Sequence, residues 1–526
     1  MNYTIQRDIP LLRRFKMEKH FVRMAAALFL MAFSVAFTGC GGNDSSTSEL
    51  GEPALEYNSG DTVMSDETEV LRSERSRELS PDVTDSDQRE LVAGNNEFAL
   101  DLYHTLRNQE GNLFYSPYSI SLALAMTYAG ARGETEQEMG TTCHFTLSRE
   151  RLHPAFNALD TELAKRGGDA GGRDGSSDLN QADSFPGLSV GITEQDEEVV
   201  IIADEQDKGG VIITDELGRE AEQDKEAGTS DEKGFRLNIA NSVWGQSGYS
   251  FMPDFLDVLA ENYGAGMRLL DFAGVPEDSR VVINDWISEN TEGRIEDMIS
   301  RGGVSEATRI VLANAIYFNA AWESPFQEEI TRDGDFHLTD GTDVTVPMMS
   351  RTGIVNYGEG GDYQAAELVY DGGETAMLII LPGEGRFGAF EDSLTAGRLD
   401  EITEDLTFRS VAVRLPRFSY EPETLSLGVI LSRMGMPTAF TWPGADFSGM
   451  DGTYNLFIGD VLHRGFISVD ESGTEAAAAT VVAMAAGYPS PDVTEFTVNR
   501  PFIFFIRDIS TNTILFTGRI LNPVSR

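Results

Sequence analysis

Residues 469–487 read VDESGTEAAAATVVAMAAG. Alanine favours helix and valine favours strand, so composition alone leaves two readings open. One is a packed helix in a tight spot. The other is a strand of very small side chains. The segment opens at Gly473 and runs into the breaker-rich Gly487-Tyr488-Pro489-Ser490-Pro491. As a strand it sets Thr474, Ala476, Ala478, Thr480 and Val482 on one side, and Glu475, Ala477 and Ala479 on the other. The first side is small and uncharged throughout. Such a segment can enter a sheet beneath a covering helix without burying a charge.

Around this stretch lies a chain of 526 residues, 41% hydrophobic, which suffices for one large domain with an accessory region. Asp and Glu number 86 against 40 Lys and Arg, for a formal net charge of -46, and no lysine follows Lys233. That balance argues against a nucleic-acid partner, because phosphate contacts need clustered basic residues. The charge suits salty, halophilic surroundings, where screening weakens self-repulsion. An ordinary acidic extracellular protein is the alternative.

The N-terminus has the pattern of an export signal over residues 1–39. Arg13, Arg14, Lys16, Lys19 and Arg23 precede an apolar run from Met24 to Phe37, which ends in Thr38-Gly39-Cys40. The run is of signal-peptide length and short for a spanning helix. A small residue followed by cysteine resembles the lipobox of bacterial lipoproteins, with Cys40 lipidated and held at the membrane of the cell envelope; plain secretion is the alternative. Cys143 then has no intrachain partner and reads as a small buried hydrophobe. Residues 40–89 read as a flexible acidic tether, with the folded domain spanning 90–526 and folding from near Val92.

Within that domain, Phe98, Leu102 and Leu106 recur at helical spacing. Asn112–Ser116 reads as a strand, and Pro117 opens a long apolar helix over Ser119–Tyr128. Residues 167–234 form a second acidic, Gly-rich stretch, too long for an ordinary loop and read as a mobile surface insertion. Its carboxylates lack the fixed spacing of an EF-hand, so no metal is expected. Ala240–Trp244, Ile310–Phe318, Thr375–Leu381 and Val411–Leu415 read as strands. Met252–Tyr263, Ser279–Asn290, Phe387–Ser393 and Leu425–Met434 read as helices. Without a βαβ rhythm or a repeat, this gives an α+β domain with at least one large sheet.

Catalytic signatures are missing: there is no G-x-S-x-G, H-E-x-x-H, Walker A or dinucleotide fingerprint. Of six histidines, His20 lies in the signal, and none of the others has a context that nominates a base. His463 reads as a packed, hydrogen-bonded core residue. Neither an enzyme nor a cofactor is expected.

Four blocks resemble the serpin family of serine protease inhibitors: NLFYSPYSISLALAMTYAGARGET (112–135), VLANAIYFNAAWESPF (311–326), GFISVDESGTEAAAAT (465–480) and RPFIFFIRDISTNTILFTGRILNP (500–523). The resemblance implies an α+β serpin fold: a large central sheet, further sheets, eight or nine helices and an exposed reactive-centre loop. It also implies a single-use trap: a protease attacks the loop, and the cleaved loop inserts as a new strand while the acyl-enzyme persists. By this resemblance Glu471, Gly473, Thr474, Glu475 and Ala476, Ala477, Ala478 and Ala479 form the hinge. Ser116 and Ser119 are the serines of the shutter beneath the sheet, with Asn314 and His463 as partners, and Trp322 stands at the breach where insertion starts. Counting seventeen residues from Glu471 puts the scissile bond after Gly487, within Ala485, Ala486, Gly487 and Tyr488. No Arg or Lys occurs in 474–495, which turns the expected target from trypsin-like to elastase-, subtilisin- or chymotrypsin-like enzymes. The implied partner is a serine protease in covalent complex with a monomeric inhibitor. A non-inhibitory serpin, or a cross-class inhibitor of papain-like cysteine proteases, is the other reading.

Overall fold

In the computed structural model the described residues are 68–166, 236–474 and 493–524. The expected lipidation site Cys40, the insertion 167–234, hinge residues Glu475–Ala479 and the bond region Ala485–Tyr488 lie outside them. Two large sheets carry the fold. The first has eight strands in the order Glu69–Leu71, Met267–Leu270, Arg236–Gln246, Ile310–Ala321, Gly473–Thr474, Ile458–Val469 and Phe418–Tyr420, with Leu425–Ser426 also paired to Ile458–Val469. The second has nine, running from Thr494–Thr497 through Thr407–Pro416, Asp343–Glu359, Tyr363–Val369, Thr375–Pro382, Phe502–Asp508 and Ile514–Ile520 to Leu113–Tyr115, with Arg332–His337 beside Asp343–Glu359.

Strand alternation explains how the first sheet is buried on both sides. Along Ile310–Ala321, Leu312, Ile316, Phe318 and Ala320 join the main core, which also holds the helix Pro117–Tyr128. Val311, Ala313 and Ala315 point the other way, into a smaller cluster with Trp244, Ile283, Trp286 and Ile287. Ile283, Trp286 and Ile287 belong to the helix Pro276–Asn290, which thereby covers the outer face. Every residue of Pro117–Tyr128 is buried. That helix starts where the sequence directs it: Pro117 occupies the first turn, and the Ser116 side chain caps it by accepting from the Ser119 N–H.

Two expectations need correction. The fold begins before residue 90, because Glu69–Leu71 pairs antiparallel with Met267–Leu270 and the first helix runs Asp85–Leu106. Polar contacts anchor the chain between them: Arg77 Nη2 donates to Asp160 at 2.6 Å and Ser73 Oγ to Asp257 at 2.5 Å. These leave no apolar period to read. Leu425–Ser426 is a short strand opposite His463 and Leu462, and its helix starts only at Gly428. In line with the expected α+β fold of about eight or nine helices, the described residues hold ten α-helices, some as short as Ser448–Asp451. Cys143 is free and buried, and burial pushes its thiol pKa well up.

Candidate functional site

The centre of the first sheet contains a seam. Ile310–Ala321 and Ile458–Val469 run parallel and pair from Ile310 opposite Ile458 to Tyr317 opposite Phe466. Beyond that point they are parted. Gly473 and Thr474 sit between them, antiparallel to both: Gly473 opposite Ala321, Thr474 opposite Ala320 on one side and Val469 on the other.

A tight turn delivers these two residues into the gap. Asp470 Oδ1 accepts from the N–H of Ser472 at 2.8 Å and of Gly473 at 3.2 Å. The Asp470 N–H donates to the Gly473 carbonyl at 2.9 Å. Gly473 is required by the close approach, since a Cβ there would overlap the Ala320 carbonyl. Thr474 is fully buried and shares a 2.7 Å hydrogen bond with the Tyr370 hydroxyl. The Tyr370 ring stacks on Trp322 at 4.5 Å with 7° between planes. Trp322 clasps the turn twice, donating from Nε1 to the Asp470 carbonyl at 3.0 Å and from its backbone N–H to Ser472 at 2.8 Å. Glu471 is only 3% exposed. Its burial would raise the carboxyl pKa, but 2.6 Å hydrogen bonds from Arg417 and Thr331 outweigh this and hold it below the usual range.

Lower in the seam the two strands are fastened through side chains. Asn241, Asn314 and His463 stand in one row across three strands, each opposite the next. The Ser116 N–H donates to His463 Nε2 at 3.1 Å. A backbone N–H can only donate, so Nε2 is the acceptor and the ring proton sits on Nδ1. Nδ1 then donates to Asn314 Oδ1 across the seam. Asn314 Nδ2 donates to Ser119 Oγ and to Asn241 Oδ1, and Ser119 Oγ donates to Asn241 Oδ1 at 3.1 Å. Ser116 Oγ donates to the Leu515 carbonyl at 2.6 Å. A second ring proton on His463 would face the Ser116 N–H. Burial accordingly pushes the His463 pKa down to about 3.

Ser116, Ser119, Asn314 and His463 thus meet in one network, while Trp322, Glu471, Gly473 and Thr474 meet in another at the parted end. Asn241, Tyr370, Arg417, Thr331 and Asp470 belong to these networks and were not singled out in the sequence. Asn241 had one local signal, a polar residue inside an expected strand. Among the described residues no cluster of His, Cys, Asp and Glu is arranged to hold a metal.

The family model for serpins, described as serine protease inhibitors, matches residues 93–185 and 213–523. The chain belongs to the serpin family. The break in that match falls inside the acidic stretch 167–234. An uncharacterized serpin-like protein of Thermococcus kodakarensis is 36% identical over 438 residues, covering 83% of this chain and 86% of that protein. Leukocyte elastase inhibitor A of Mus musculus is 34% identical over 445 residues, 82% of this chain and 100% of the relative. Among solved structures, the thermophilic serpin tengpin in its native state aligns with a TM-score of 0.65 at 25% identity, covering 86% of this chain and 100% of tengpin. The serpin fold, α+β with large sheets, is therefore shared along nearly the whole described chain.

Proposed function

We propose that this serpin is a suicide-substrate inhibitor of serine proteases with elastase-, subtilisin- or chymotrypsin-like specificity. The observation that carries the reading is the seam, a parallel pair of strands already parted at one end by antiparallel Gly473–Thr474. Each further residue that enters exchanges one parallel contact for two antiparallel ones, the more stable kind. Over roughly ten residues the added ladder contributes on the order of 10 kcal/mol at about 1 kcal/mol per hydrogen bond. That rivals the whole stability of a typical domain, about 5–15 kcal/mol.

The chemistry needs nothing beyond the protease. Its serine Oγ bonds to the carbonyl carbon before the scissile bond within Ala485–Tyr488. The C–N bond then breaks, the leaving amine takes its proton from the protease histidine, and an ester joins the two proteins. Insertion of the freed strand competes with hydrolysis of that ester. Continued from Thr474, the register carries Ala476 to the position opposite Phe318 and Thr480 between Asn314 and His463. The Thr480 hydroxyl can donate and accept, so it substitutes for the His463–Asn314 bond that its entry breaks. The leukocyte elastase inhibitors among the relatives favour an elastase-like target. We assign the protein to the cell envelope through Cys40.

The test is incubation with pancreatic elastase, subtilisin and chymotrypsin. A covalent complex that survives denaturing electrophoresis is expected with at least one of them. Cleaved protein without complex for all three would overturn the proposal.

A further inference from the structure

The outermost strand of the first sheet brings two arginines together. Glu69–Leu71 sets Val70 opposite Arg268, and Arg268 stands opposite Trp244 of the next strand. Two residues along, on the same face, the same ladders put Ser242, Gly266 and Arg72 in one row. This is the face covered by the helix Pro276–Asn290, whose Trp286 clusters with Trp244. The Arg268 guanidinium lies over both indole rings, 4.8 Å from the centroid of Trp286 and 5.5 Å from that of Trp244. Aromatic faces attract a guanidinium but leave its N–H groups unspent.

No carboxylate among the described residues pairs with Arg268; the charge that acts on it is that of Arg72. Burial and this like charge push its pKa down to about 10. In a chain with 86 Asp and Glu, a half-buried cation whose charged neighbour is another cation points to a negative charge supplied from outside.

Room for that charge exists. Arg268, Arg72, Ser242, Gly266 and Trp286 line a cavity of about 20 Å³. About 10–15 Å³ is enough to hold one water. Gly266 keeps the row close, since a Cβ there would overlap the Leu71 carbonyl and the Arg72 side chain. Ser242 is only 5% exposed, and its Oγ accepts from Trp244 Nε1 at 2.7 Å, because an indole N–H can only donate. Its own proton therefore remains to be given, and no acceptor for it is present among the described residues.

We infer that this cavity is a chloride site, in which one ion lies between Arg268 and Arg72 with the Ser242 hydroxyl as a third donor. The volume suits a single ion of that size and is too small for sulfate or phosphate. An anion there turns one repulsion into two attractions. Arg72 follows the outermost strand and Arg268 belongs to its neighbour, so the ion fastens Glu69–Leu71 to the sheet. None of these donors belongs to the seam, and the site stands apart from the inhibitor reading.

Chloride NMR of the full chain reads the site, because an ion exchanging onto a protein broadens the solvent line. Wild type should broaden it, and bromide should reverse the effect by competition. Arg268→Met keeps an apolar stem against the indoles and should abolish the broadening. Arg72→Gln, at an exposed position, should weaken chloride about tenfold. At constant ionic strength, replacing gluconate, which is too large for the cavity, with chloride should raise the wild-type melting temperature by about 2 °C and leave that of Arg268→Met unchanged. No broadening by wild type, or the same broadening by wild type and Arg268→Met, overturns the inference, and the cavity then holds water alone. If Arg268→Met does not fold, Arg72→Gln decides: a tenfold loss upholds the site and equal affinity overturns it.

Discussion

The two ends of the seam are held by different chemistry. At the parted end, Gly473 and Thr474 already occupy the strand position, framed by the Trp322–Tyr370 stack and the Asp470 turn. At the shutter the strands are still together, and a hydrogen bond from His463 to Asn314 fastens one to the other. The first arrangement is a threshold made of backbone pairing and small side chains. The second is a clasp in which every polar partner is spoken for. On the inhibitory mechanism proposed above, entry is governed by side-chain size and charge at 473–474, and opening by whether the buried polar row can change partners.

The most severe way to break this distinction is Thr474→Arg. Thr474 is fully buried against Tyr370, so a guanidinium there would be stripped of water. Burying an unpaired charge costs several kcal/mol. Insertion should stall while acylation proceeds, so the variant should be consumed as substrate. Titration against active-site-counted elastase should show the inhibitor-to-protease ratio rising at least tenfold. An unchanged ratio would remove 473–474 from the entry path.

The clasp is probed by pH, with an intermediate effect. His463 and His153 are both buried, and burial lowers each pKa to about 3. A histidine whose folded pKa is depressed gives stability that is fully present above its unfolded pKa, about 6.5, and is lost as pH falls toward the folded value. Each contributes a slope of about 1.4 kcal/mol per pH unit in that window. Urea unfolding between pH 6 and 5 should therefore show a combined slope approaching 3 kcal/mol per unit. His463→Gln should halve it, whatever it does to stability at pH 7. A slope that does not change with this substitution would mean that His463 titrates freely and the clasp is open.

How much of this could be read in the chain follows from the range of each interaction. Gly473 is legible because its requirement is local, a glycine in a tight turn beside a strand position. The helix Pro117–Tyr128 was legible from Ser116 and Pro117, whose capping roles are also local. Asn241, Tyr370, Arg417 and Thr331 come from four separate segments, and only pairing between distant strands brings them to the seam. Residues 68–84 read as tether because they are fixed by one short strand and by polar contacts such as Arg77 with Asp160, and neither leaves a hydrophobic period.

The smallest expected effect sharpens the comparison from the threshold side. Glu471 joins the turn to the rest of the fold through Arg417 and Thr331. Glu471→Gln keeps one acceptor oxygen and replaces the other with an amide that faces a donor. Arg417 is nearly half exposed, so solvent already weakens the ion pair. Trp322 and Phe326 still donate their backbone N–H groups to Ser472 and residue 471 at 2.8 and 2.9 Å. The loss should be about 1 kcal/mol, read as a small drop in the urea midpoint with the slope of the transition unchanged. The turn should keep its place and trapping should continue at the same stoichiometry. A drop in midpoint larger than that of His463→Gln at pH 7 would reverse the assignment. The native state would then be held shut chiefly at its parted end, by an ion pair, and the buried row in the middle would only follow.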